Sequence, residues 1–222
     1  AGLSLGEYTA LVASGALAFS DGVQLVHKRG QFMSEAAPTG SGKMVAVMNT
    51  AAEVIEDCCK QASDLGIVSP ANYNTPQQIV IGGEVAAVEK AEELLQAAGT
   101  KRMIPLNVSG PFHTALLEPA SKRLNEVLQT ISFSEMQVPV ISNTTAKVMP
   151  QTEIVELLTK QVMSPVRFSD SVLTLKELGI EQLVEIGPGK TLTGFIKKID
   201  RSLATSRVEN SQTLTETIAF LS

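Results

Sequence analysis

The chain has 222 residues, 44% of them hydrophobic, and a formal net charge of −5, enough apolar material to bury a substantial core in one large or two small domains. The acidic balance and the lack of any long Lys/Arg cluster argue against nucleic acid or an anionic membrane as partner, while short basic groups at His27-Lys28-Arg29 and Lys197-Lys198 leave room for a small anionic ligand. No apolar run approaches the roughly 20 residues a spanning helix needs, so a cytoplasmic protein is expected, and the adjacent pair Cys58-Cys59 suits neither a mutual disulfide nor a zinc site.

Gly2-Leu3-Ser4-Leu5-Gly6 has the Gly-x-Ser-x-Gly spacing that presents a serine nucleophile on a sharp strand-to-helix turn, where small flanking residues avoid a clash across the turn. Leu5, Tyr8, Leu11, Val12 and Leu17 follow at helical spacing, interrupted by Ser14-Gly15. Ser4 is therefore expected at a helix N-terminus, where backbone N–H groups can receive developing negative charge. Because the turn is under way by residue 2 with no initiating methionine, the strand that feeds it, and the first part of the natural protein, are expected to be absent. Asp21 is expected to cap a second helix running to about Ala37, which Pro38-Thr39-Gly40-Ser41-Gly42 breaks.

From Lys43 the pattern predicts a strand over 44–48, a helix over 51–63, strands over 67–72 and 77–81, a helix over 84–98 and a strand over 102–107. That β-α-β-β-α-β order is the split βαβ, ferredoxin-like arrangement. Residues 43–110 are therefore expected as an inserted subdomain, with 1–42 and 111–222 forming the main unit. The remainder predicts a long helix over 115–131, a strand over 138–142, helices over 152–162 and 169–178, and a strand over 182–186. A Gly-Pro-Gly turn, a short helix over 192–199, a strand near 206–208 and a final helix close the chain. Strands alternating with helices imply an α/β fold with a mainly parallel sheet covered on both faces.

A serine nucleophile needs a base, and there are two histidines. His27 stands mid-helix beside Lys28 and Arg29, whose charges would depress its pKa, which favours a surface role. His113 lies in the loop Val108-Ser109-Gly110-Pro111-Phe112-His113-Thr114, at the junction of the two units, where clefts form; on this ground catalytic and structural roles are evenly balanced. Arg29 is the residue type suited to grip a carboxylate through paired hydrogen bonds, or else part of a solvated helix face. Glu185 is the candidate for an acidic third member or a structural acceptor. Two Gly-Lys segments fail as phosphate loops: Met44 replaces the hydroxyl residue after Lys43, and Val184 stands where the motif before Lys190-Thr191 requires its first glycine.

Taken in order, Gly2 to Tyr8, Arg29-Gly30-Gln31 with Met33, Asn72-Tyr73-Asn74-Thr75-Pro76-Gln77, Pro111-Phe112-His113, Gln161 followed by Ser164-Pro165-Val166, and Glu185-Ile186-Gly187-Pro188-Gly189 resemble the malonyl-CoA:acyl-carrier-protein transacylases of bacterial fatty-acid synthesis. The resemblance implies an α/β-hydrolase-like core with a ferredoxin-like insertion. It implies Ser4 as nucleophile, His113 as base, the Gln161 backbone carbonyl orienting His113 in place of Glu185, and the Leu5 N–H as half of an oxyanion hole. Arg29 would clamp the malonyl carboxylate, and Met33, Asn74 and Phe112 would line the acyl pocket. The implied partners are malonyl-CoA as a coenzyme A thioester substrate and an acyl carrier protein, with no tightly bound cofactor and a monomeric enzyme. The family commonly has His where this chain has Leu3, and its N-terminal strand, with a Gln-rich loop supplying the second oxyanion N–H, is not matched. A polyketide-synthase acyltransferase domain, a serine esterase or thioesterase, and a non-catalytic carrier-protein-binding module are the rival expectations.

Overall fold

A computed structural model describes residues 1–38 and 40–222 of the chain; Thr39, within the expected helix breaker, lies outside the described residues. Helix α1 spans Leu5–Ala13, directly after Ser4. Helix α2 spans Phe19–Ala36 and starts two residues before Asp21, with Ala18 in extended backbone at its N-cap and no side-chain cap. Asp21 thus lies in the first turn of the helix instead of capping it, where its charge complements the helix dipole.

Next come β1 (Lys43–Met48), α3 (Ala52–Ala62), β2 (Val68–Thr75), β3 (Gln78–Gly83), α4 (Val85–Ala97) and β4 (Arg102–Pro105). The four strands form one sheet in the order β2-β3-β1-β4, antiparallel at every pairing. Alternation along the strands divides their side chains between two faces. Val45, Val47, Ile79 and Ile81 pack with Ile55, Cys59, Val88 and Leu95 of α3 and α4. Met44, Ala46 and Val80 point the other way and meet Ala71, Ile104 and Phe112. The second face makes one wall of the cleft described below.

A short 3-10 turn at Ala115–Leu117 leads into α5 (Glu118–Leu128), so the expected helix over 115–131 is shorter and irregular at both ends. The expected strand over 138–142 is not formed. Its backbone makes one isolated bridge, Ile141 with Val148, and local bonds from Met149 N–H to Val140 O and from Ser142 N–H to Lys147 O. Val140, Ile141 and Ser142 are buried; the apolar pattern there signals burial in the core, not pairing with a neighbouring strand. Then follow α6 (Ile154–Gln161), α7 (Phe168–Glu177), β5 (Gln182–Ile186), α8 (Thr191–Ile199), β6 (Ala204–Val208) and α9 (Ser211–Leu221). Among the described residues parallel sheet is confined to the pair β5 and β6, while the larger sheet is antiparallel, so a mainly parallel sheet is not observed among them.

The main core gathers Tyr8 and Leu11 from α1, Leu25 and Met33 from α2, Leu124 and Leu128 from α5, and Leu158 from α6. Residues 164–166 stitch this helical layer to the four-stranded sheet: Tyr73 N–H donates to Val166 O at 2.8 Å and Val166 N–H to Ala71 O at 2.9 Å. Among the described residues no helix is long and apolar enough to cross a membrane.

Candidate active site

Ser4 sits at φ 53° and ψ −103°, a conformation L-residues rarely adopt and one that is held only where the surroundings impose it. A Cβ at Gly2 would lie 2.1 Å from the carbonyl carbon of Gly6, so the turn closes only over a glycine at position 2. Nothing lies within 4 Å of a Cβ built at Gly6. The steric reason expected for both glycines therefore applies to the first and not to the second.

The turn brings Ser4 Oγ to 2.8 Å from His113 Nε2, across 109 residues of sequence. His113 Nδ1 lies 2.8 Å from the Gln161 backbone carbonyl. A carbonyl oxygen only accepts, so in the neutral ring Nδ1 carries the proton and Nε2 presents its lone pair to the serine hydroxyl. Arg29 Nη2 donates to the same Ser4 Oγ at 2.9 Å and to Gln161 Oε1 at 3.1 Å. Arg29 is buried, its charge faces the Tyr8 ring at 5.2 Å, and its Nε has no partner among the described residues. The structure thus brings Ser4, His113, Gln161 and Arg29 together, with the turn before α1, α2, the 110–114 loop and the end of α6 each contributing one of them.

His113 is 4% exposed. Burial pushes its pKa down to about 4, opposed by hydrogen bonds to the Gln161 and Ser164 backbone and reinforced by the Arg29 charge. The imidazole is therefore neutral near pH 7 and able to take a proton. Beneath it lies a carboxylate: Glu7 is fully buried, accepts from Asn143 N–H at 3.1 Å and receives the Gln161 side-chain Nε2. Burial pushes Glu7 up to about 7, against the hydrogen bonds from Gln161 and Asn143 and the Arg29 charge. Gln161 Nε2 also donates to Ser4 O at 2.9 Å. Leu5, 51% exposed, is the first residue of α1, so its N–H has no acceptor within the helix and is free to meet a ligand.

A cleft of about 380 Å³ opens over Ser4 and is lined by Arg29, Met33, Asn72, Phe112 and His113, with Leu3, Leu106 and Val108 at its apolar sides. Asn74, expected here, does not line it. The register of β2 against β3 shifts between Tyr73 and Thr75, and Asn74 Nδ2 donates to Gln78 Oε1 at 3.1 Å within the hairpin. Asn72 occupies the cleft wall instead. His27 is exposed, as expected for a surface residue. The Glu185 carboxylate caps α8, accepting from Leu192 N–H at 3.0 Å and Thr193 N–H at 2.7 Å, which leaves it a structural acceptor. Lys43 pairs with Glu92 at 2.5 Å, and Gly187 and Gly189 sit at positive φ of 140° and 91° in a tight turn. No group of His, Cys, Asp and Glu among the described residues could hold a metal ion.

Glu7, Asn72 and Asn143 are the site residues that sequence reasoning missed. Ser4-x-x-Glu7 has the spacing of a helix capping box, a reading that hides the burial of Glu7. Asn72 lies in the same Asn-Tyr-Asn stretch as Asn74, and only the shifted register chooses between them. Nothing in the local sequence around Asn143 distinguishes it from a turn residue.

The serine turn and its buried imidazole fit the acyl transferase class, and the acyl transferase domain family model matches residues 1–215. The chain is 48% identical over 216 residues to the malonyl CoA-acyl carrier protein transacylase of Bacillus subtilis (strain 168), covering 96% of this chain and 68% of that relative. Among solved structures it is similar to the MCAT of Streptococcus pneumoniae, at 58% identity and a TM-score of 0.94 over 96% of this chain and 70% of that one. It is also similar, at 41% identity and a TM-score of 0.94 over 98% of this chain and 71% of the other, to a malonyl-transacylase in complex with its type II PKS acyl-carrier protein. The chain belongs to the malonyl CoA-acyl carrier protein transacylase family.

Proposed function

We propose that this protein transfers malonyl from coenzyme A to the phosphopantetheine thiol of an acyl carrier protein by double displacement through an ester on Ser4. The observation that carries the reading is the convergence of His113 Nε2 and Arg29 Nη2 on one serine oxygen, at 2.8 and 2.9 Å. His113 takes the hydroxyl proton as Ser4 attacks the thioester carbon, and returns it to the departing coenzyme A thiol. The Gln161 carbonyl holds the ring in the tautomer that leaves Nε2 free. The Leu5 N–H donates to the oxygen that becomes negative in the tetrahedral intermediate. In the second half-reaction His113 deprotonates the carrier thiol, which attacks the ester, and Ser4 regains its proton.

Arg29 supplies the selection. In malonyl a single methylene separates the carboxylate from the thioester carbon, so a cation that touches the nucleophile oxygen is at the right range to hold that carboxylate while the thioester is attacked. Met33, Asn72 and Phe112 bound the remaining space. The cleft is small and its sides are mostly apolar, and a bound substrate that fills it keeps the acyl ester from water until a thiol arrives.

The residue ranges 43–110, as a ferredoxin-like subdomain, and 1–42 with 111–222, as an α/β-hydrolase-like core, belong to the same reading. The antiparallel order β2-β3-β1-β4 with α3 and α4 on one face supports the first, and the serine turn entering α1 supports the second. A cytoplasmic monomer with no tightly bound cofactor completes it; light scattering of the purified chain tests the monomer.

The test is intact-mass analysis after brief mixing with malonyl-CoA. Wild type gains one malonyl increment, Ser4→Ala gains none, and Arg29→Ala loses the preference for malonyl-CoA over acetyl-CoA. An increment that persists in Ser4→Ala defeats the proposal. A serine esterase would instead hydrolyse neutral acyl esters, and Arg29→Ala would leave that hydrolysis intact.

A further inference from the structure

We infer that Asn143 is a positioning residue: its side-chain amide holds Ser4 in the strained backbone conformation from which the hydroxyl can attack. The inference rests on Ser4 being the nucleophile of the reaction proposed above.

Asn143 comes from a different part of the chain, 139 residues after Ser4, and is 1% exposed. Its Oδ1 accepts from Ser4 N–H at 2.6 Å, and its Nδ2 donates to Gly2 O at 2.6 Å. One amide thus grips the donor and the acceptor that flank Leu3, as the backbone of a neighbouring strand would. Its own backbone is committed as well, the N–H to Glu7 Oε1 at 3.1 Å and the carbonyl accepting from Arg167 N–H at 2.9 Å. Asn143 is therefore anchored from below and has no freedom to follow the turn if the turn relaxes.

The other side of the nucleophile is held in a similar way. Gln161 Nε2 donates to Ser4 O at 2.9 Å, so two buried amides fix the peptide groups before and after Ser4. Glu7 joins the two amide residues, taking Asn143 N–H on one carboxylate oxygen and Gln161 Nε2 on the other. A residue at positive φ returns to a commoner conformation unless its surroundings prevent it. Removing the Asn143 side chain would strip the grip from Ser4 N–H and Gly2 O and leave both groups to seek new partners by moving. The Ser4 hydroxyl would then swing from His113. Arg29 would keep its bond to Gln161 Oε1, and Met33, Asn72 and Phe112 line the cleft from other elements, so substrate binding would survive while the chemical step slowed.

The experiment follows Ser4 modification by rapid quench and intact mass in the full chain, using malonyl-CoA and, separately, a small uncharged fluorophosphonate that reads serine reactivity without needing Arg29. Asn143→Ala should lower the rate constant for both reagents by about a hundredfold, with half-saturating malonyl-CoA changed by less than about twofold, because a nucleophile misplaced by an ångström costs that much in rate and nothing in binding. Asn143→Asp keeps the shape and the acceptor for Ser4 N–H but sets a carboxylate against Gly2 O; it should fold and react about tenfold more slowly than wild type, between wild type and Asn143→Ala. Thr144→Ala, next in sequence with a hydroxyl that has no partner among the described residues, should react at the wild-type rate. Rates are taken on the folded fraction read by circular dichroism. Wild-type rate constants in the Asn143 variants, or a raised half-saturation with the rate constant unchanged, overturn the inference. Wild type that takes label from neither reagent instead overturns the assignment of Ser4.

Discussion

His113 and Glu7 are two buried titratable groups joined through Gln161, and burial moves their pKa values in opposite directions. His113 is down at about 4, so the ring is already neutral through the neutral range. The acylation rate constant should hold steady from pH 7 downward and fall only as pH drops through about 4, which a pH series of rapid-quench reactions would read. A break near pH 6.5, the ordinary histidine value, would mean that the ring is not buried as described. Glu7 is raised from 4.5 to about 7. A folded-state pKa above the unfolded one means that the native state binds the proton more tightly, so this group's contribution to stability is fully present below pH 4.5 and is lost as pH rises through about 7. The urea midpoint of wild type should therefore fall steadily relative to that of Glu7→Gln, which cannot titrate, as pH rises from 4.5 to 7. A difference that stays constant over that window would place the Glu7 pKa outside it.

The elbow that carries Ser4 depends on its two glycines unequally. At Gly2 an added methyl meets the Gly6 carbonyl at 2.1 Å, and because that neighbour is backbone the turn must open; Gly2→Ala should cost about 2–3 kcal/mol and slow acylation. At Gly6 the space is open, and alanine there improves the first turn of α1, so Gly6→Ala should leave stability unchanged or raise it by about 0.5 kcal/mol. Thermal melts of the two variants decide between this asymmetry and an equal need for both glycines. Elements with strong local periodicity were legible beforehand: Ile55, Cys59 and Ala62 recur on the buried face of α3, and Val45 and Val47 alternate with Met44 and Ala46 in β1. Residues 138–142 were not, because alternation reports only that side chains are buried. Whether a strand forms depends on a backbone partner that local sequence does not reveal.

The cleft lies where the four-stranded sheet meets the helical layer, with Met44 and Asn72 from the first and Ser4, Arg29 and Met33 from the second. Its shape therefore depends on two cores that pack separately, one around Leu124 and Leu158 and one around Val88 and Leu95. Leu158→Ala should cost about 2–5 kcal/mol. Combined with Val88→Ala, the two losses should add to within about 0.5 kcal/mol, since the residues share no partners; strong non-additivity in urea unfolding would show that the layers are coupled through the cleft. By itself the sequence determined the serine turn, the helix after it and the β-α-β-β-α-β order, and through resemblance it singled out Ser4, His113, Gln161 and Arg29, which the fold brings together. These are local patterns, or ordered motifs that survive being read along a line. Tertiary structure alone decided that Asn72 and not Asn74 faces the cleft, that Glu185 caps a helix, and that Glu7 and Asn143 lie beneath Ser4. Each of those outcomes turns on a strand register or on contacts across more than a hundred residues, which depend on how the layers pack and leave no trace in the neighbouring sequence.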